Sequence, residues 1–194
     1  MKKTIVLILA IVLLLTAAVA GTVAWLQDST NTITNTFTVG KVDINLTETE
    51  NLDENGNFEV QLIPGTTYKK NPIVTVSADS EECYLYVKIE EINNPSAYLT
   101  YTHNKDGWTS LDGVANVFYR VVGKDDSVKS WDLLKDNQVV VNSDVDNADL
   151  AGMYNSDGTV NASKLPQLKY TAYAIQKANT GADAKAAWTT ANFS

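Results

Sequence analysis

CYLYVKIEEI, Cys83 to Ile92, sets Cys83, Leu85, Val87 and Ile89 on one parity and Tyr84, Tyr86 and Lys88 on the other. A period of two residues in β-branched and aromatic side chains is the mark of a strand, and Asn94-Pro95 closes it. The same period recurs on both sides. Upstream, Val42, Ile44 and Leu46 alternate, then Phe58, Val60 and Leu62 up to Pro64-Gly65, then Ile73, Val74 and Val76 after Pro72. Asn55-Gly56, within the polar stretch Asn51–Asn57, predicts a hairpin turn. Downstream, strands are predicted at Tyr98–Tyr101, at Val114–Val122 (VANVFYRVV), at Val139–Val141 and at Gln167–Gln176 (QLKYTAYAIQ). Asp106-Gly107, Gly123-Lys124-Asp125-Asp126 and Asp157-Gly158 punctuate them. The polar run Asp144–Leu165 has room for a short helix at Ala148–Tyr154, and the alanines of Ala182–Trp188 favour a terminal helix. About eight or nine short strands without alternating helices predict an all-β antiparallel β-sandwich with a short C-terminal helix.

The N-terminus has a different character. Met1-Lys2-Lys3 precedes an apolar run from Ile5 to Leu15, and small-x-small signals follow at Ala18-Val19-Ala20 and Thr22-Val23-Ala24. This is the pattern of a signal peptide, and its length is marginal for an uncleaved membrane anchor. Cleavage after Ala24 leaves 170 of the 194 residues and moves the formal charge from −8 to −10. So acidic a chain is repelled by nucleic acid and by anionic lipid. Cys83 is the one cysteine, so no internal disulfide forms and the fold rests on its core. Leu165-Pro166-Gln167-Leu168 lacks the Thr-Gly of a wall-anchoring signal.

Behind the cleavage signals, Thr30–Val39 alternates threonines with Ile33, Phe37 and Val39. The parity changes at Gly40-Lys41, so this first strand is separable from Val42–Leu46. Two readings are open. The arm is the first strand of its own sandwich, or it adds to the sheet of a neighbouring subunit, with Ile33 and Phe37 filling pockets. The second, repeated head to tail, makes a filament.

Chemistry-bearing constellations are sparse. His103 is the single histidine, too few for a zinc site of the HExxH type, and no G-x-S-x-G segment accompanies it. Asp53-Glu54-Asn55-Gly56-Asn57 opens like a calcium loop but has Phe58 and Pro64 where the glycine and glutamate belong. Asp144, Asp146 and Asp149 form a second acidic cluster. Cys83 reads as a buried small hydrophobe. Trp108, Trp131 and Trp188 are candidates for a glycan platform or for core. No catalytic residue, cofactor or metal ligand is predicted.

The residues Gly21-Thr22-Val23-Ala24, Trp25-Leu26-Gln27-Asp28 and Asn35-Thr36-Phe37-Thr38-Val39-Gly40-Lys41-Val42-Asp43 resemble the junction of the TasA/camelysin family, Firmicute proteins released by a SipW-type signal peptidase. Tyr170–Gln176 with Trp188 resembles the closing strand and helix of the shorter members. The resemblance brackets the chain from Gly21 to Trp188 and implies cleavage between Ala24 and Trp25, an arm over residues 25–40 and a jelly-roll-like domain over residues 41–194. It further implies a secreted biofilm matrix protein, a main or accessory fibre component. Its partners would be copies of itself or related subunits, joined by a donor strand anchored by Ile33, Phe37 and Val39. A monomeric surface adhesin is the alternative. The metalloendopeptidase label that some relatives carry finds no zinc motif here.

Overall fold

A computed structural model describes residues 41–54, 59–178 and 180–193, all within one compact unit, Val39–Ser194. Ala24, Trp25, Ile33, Phe37 and Val39, with the predicted turn at Asn55-Gly56, lie outside the described residues. Ten strands occur among the described residues: β1 Ile44–Thr47, β2 Thr67–Lys69, β3 Ile73–Val76, β4 Cys83–Ile92, β5 Leu99–Thr100, β6 Thr109–Ser110, β7 Val117–Val122, β8 Ser130–Asp132, β9 Gln138–Val141 and β10 Gln167–Gln176. Two helices join them, α1 Asn147–Ala151 and α2 Ala184–Ala191. None is long and apolar enough to cross a membrane.

The rear sheet has the order β10-β4-β7-β6. The front is built from β1-β3-β8 and β2-β9-β5. These two pieces are one interrupted sheet, because β2 runs on into β3 and β8 into β9. Between the pairs Lys69↔Gln138 and Ile73↔Asp132, three residues on one chain face five on the other. That bulge of two residues is bridged by Lys70 N–H to the Asn137 carbonyl and Leu133 N–H to the Pro72 carbonyl, both 2.9 Å. The result is an antiparallel, jelly-roll-like sandwich with the short terminal helix.

The alternation read in Cys83–Ile92 places β4 in the middle of the rear sheet with both faces buried. Cys83, Leu85, Val87 and Ile89 meet Val74 and Val76 of β3 in the core between the sheets. Tyr84 and Tyr86 turn the other way, into a second core with Ala184, Ala187 and Trp188 of α2. The Tyr86 hydroxyl donates to the Ala184 carbonyl at 2.7 Å, tying helix to sheet. Asp183 caps α2 by accepting from Ala186 N–H, and Asn192, at a φ of 54°, ends it.

Several elements differ from the sequence reading. Val60 and Leu62 keep alternate half-burial but form no ladder; the paired residues come later, in β2 after Gly65. The strand expected from Val114 starts at Val117, because Gly113 and Asn116, at φ of 67° and 58°, shape a hairpin closed by Leu111 N–H to the Val117 carbonyl. α1 starts at Asn147, one residue ahead of the expected Ala148, and stops at Ala151 rather than Tyr154. Asp146 and Asp149 fix its start by forming a reciprocal capping box. α2 begins two residues later than expected and runs past Trp188 to Ala191.

Candidate assembly edge

β10 is paired with β4 over all ten residues, Gln167↔Ile92 through Gln176↔Cys83. On its other side no strand pairs with it among the described residues. It contains no proline and its register is unbroken, so neither a proline nor a bulge interrupts the edge, while β1 packs near its inner face. Lys169 is its one charged residue, 60% exposed and 3.6 Å from Glu90.

Both ends of β10 are fastened. At the C-terminal end, Lys177 N–H donates to the Glu82 carbonyl at 2.8 Å, and its ammonium meets the Glu82 carboxylate at 2.7 Å. At the other end, the Asn93 amide donates to the carbonyls of Ser163 and Leu165, each at 2.8 Å, fixing the chain that leads into the strand.

His103 lies over that same end. Its Nδ1 is 3.0 Å from the Tyr170 hydroxyl and its Nε2 is 3.0 Å from Glu91 Oε1. A carboxylate only accepts, so Nε2 carries a proton, and in the neutral ring Nδ1 accepts from Tyr170. The hydrogen bond from His103 holds the Glu91 carboxyl below its ordinary pKa. Burial, reinforced by the Glu48, Tyr101 and Glu91 neighbours, pushes the Tyr170 hydroxyl up. Tyr101 stands edge-on to His103 at 5.3 Å. Glu91, Tyr101 and His103, with Ser96, Leu99 and Lys105, line an open depression of about 550 Å³. Both ring nitrogens of His103 are thus engaged by protein groups. Close by, Lys70 and Glu48 make a buried ion pair at 2.8 Å, and burial lowers the Lys70 pKa against the opposing pull of Glu48.

The other candidates are placed as follows. Asp146 and Asp149 spend their carboxylates on the α1 cap, and Asp53 stands on the loop after β1. Among the described residues no three His, Cys, Asp or Glu side chains converge as a metal-ligand set. Cys83 is fully buried, and burial raises its thiol to about 11. Trp108 and Trp131 meet at 6.4 Å, but the Arg120 guanidinium lies over both rings, at 4.8 and 4.3 Å. Trp188 belongs to the second core, on the far face of the rear sheet. The three tryptophans therefore form no common platform. The His103 cluster escaped the sequence reading, since its partner Tyr170 is 67 residues away and no local pattern links them. Comparison with family models, with curated proteins and with solved structures finds no match.

Proposed function

We propose that the protein is a secreted fibre subunit or accessory fibre component of an extracellular matrix, assembled when its N-terminal arm adds as a strand to a neighbouring copy. The supporting observation is β10, a ten-residue edge strand with no proline and no break in register. Such edges recruit further strands unless something covers them. The Thr-rich arm, with Ile33, Phe37 and Val39 on one parity, has a matching length and period. Main-chain hydrogen bonds supply affinity and the alternate side chains supply register. A contact that hands a strand forward does not close on itself, so it propagates as a filament.

Negative-stain microscopy of residues 25–194, beside a chain that begins at residue 39, tests this. Filaments from the first and monomers from the second are expected. Filaments from both would end the strand-donation reading. Monomers from both would favour a monomeric adhesin whose arm completes its own sandwich.

A further inference from the structure

The hydrogen-bond parity of β10 shows which of its residues face outward. Lys177 N–H bonds the Glu82 carbonyl, so in an antiparallel ladder the odd-numbered residues of β10 exchange bonds with β4. The opposite side of β4 agrees: Ile89 N–H bonds the Asn116 carbonyl, which gives the odd residues of β4 to β7 and the even ones to β10. Leu168, Tyr170, Ala172, Ala174 and Gln176 therefore turn their backbone groups to the outer edge. The Gln176 carbonyl is taken by the Thr180 hydroxyl at 2.7 Å, which leaves Leu168 to Ala174 as the stretch with no strand beside it on this edge among the described residues. Towards the core between the sheets, this stretch presents Tyr170, Ala172 and Ala174. On that face Ala172 and Ala174 belong to the core that Val42, Ile44 and Leu46 also join, so an added strand would extend this core at its rim.

The direction of such a strand is set by where the chain joins the domain. Lys41 accepts from Glu81 N–H at 2.9 Å, and the adjacent Glu82 holds Lys177. Residue 41 thus sits at the C-terminal end of β10. A chain's own arm laid back along β10 from that point runs parallel to it. To lie antiparallel, residue 39 would have to reach the Gln167 end, about 30 Å away at roughly 3.3 Å per residue. It is tied to Lys41 by a span of only about 7 Å. Every ladder among the described strands is antiparallel, the geometry with the better hydrogen bonds.

We infer that the outer edge of β10, Leu168 to Ala174, accepts the arm of a second copy in antiparallel pairing, with Ile33, Phe37 and Val39 packed beside Ala172 and Ala174. This rests on the strand-donation reading and assigns its acceptor, direction and occupant.

Cysteine pairing tests it, with the buried Cys83 left in place. Thr171→Cys, a position whose own bonds go to β4, is combined in turn with Thr34→Cys, Thr36→Cys and Thr38→Cys in residues 25–194, and the protein is oxidised under assembling conditions. One combination is expected to give a ladder of covalent oligomers on non-reducing gels. Moving the acceptor to Ile175→Cys should shift the best-linked arm residue towards the N-terminus. Ala172→Pro, which removes an outward N–H, should keep the monomer's circular dichroism and abolish filaments. A disulfide within single chains, shifting towards the C-terminus, would overturn the second-copy assignment. Filaments without any β10 disulfide would overturn β10 as acceptor while leaving strand donation intact. Absence of both filaments and disulfides would remove the underlying reading as well.

Discussion

Lys70 and Glu48 form the most deeply buried ion pair among the described residues. Their side chains are 5% and 16% exposed, and the ion pair spans 2.8 Å between the end of β2 and the stretch after β1. Glu48 opposes the desolvation of the Lys70 ammonium, so Glu48→Ala should cost about 3 kcal/mol in urea denaturation. Lys41→Ala, whose side chain is 61% exposed in its ion pair with Asp43, should leave the urea midpoint unchanged. Glu91 gives a pH dependence. Its folded pKa lies below the ordinary 4.5 because His103 donates to it, so its contribution is complete above that value and is lost as pH falls through the lower, folded one. Glu91→Gln should therefore flatten the stability profile below about pH 4.5, by under about 1 kcal/mol, since the carboxylate is 43% exposed and water screens it. At this scale the sequence revealed identities without partners. Tyr86 was visible as one side of a strand, but its bond to the Ala184 carbonyl joins residues 98 apart.

Among the elements, those with strong periodicity were legible to the residue. Cys83–Ile92 and Gln167–Gln176 form the strands that their alternation predicts, and they pair with each other. The short strands β2, β6 and β8 were not legible: TYK, TS and SWD are too brief to show a period and exist because a distant partner supplies the ladder. Of the strand expected at Phe58–Leu62, Val60 and Leu62 join no ladder among the described residues, since alternation alone does not provide a partner. α2 was foreseen from its alanines, yet its role was not. It covers the second face of β4, with Trp188 edge-on to Tyr86 at 5.1 Å and to Tyr173 at 5.3 Å. Trp188→Ala should lower stability by about 3–5 kcal/mol and raise binding of a hydrophobic dye, because it opens an aromatic core rather than a surface. Tyr86→Phe, which removes the buried hydrogen bond to the Ala184 carbonyl, should cost about 0.5–1.5 kcal/mol in the same assay.

For the whole molecule, charge governs how copies approach one another. The formal charge is −8, and −10 once residues 1–24 are removed. Like-charged subunits repel over about 10 Å at 0.1 M salt and over about 30 Å at 0.01 M. Assembly of residues 25–194, followed by light scattering, should therefore quicken as sodium chloride rises from 10 to about 200 mM; a rate that falls with salt would mean that attraction between charges drives the contact. Strand donation leaves no trace in composition, which is why the sequence holds both readings of the arm open. The placing of β4 between β7 and β10 also bears on the order of events after synthesis. Its partner β10 lies 87 residues further along at Tyr86↔Tyr173, and the face of β4 that carries Tyr84 and Tyr86 is not covered until Trp188 has arrived. Contacts so distant along the chain form late and slowly. The rear sheet and the helix behind it therefore close last, after the pairing of β1 with β3 and of β4 with β7.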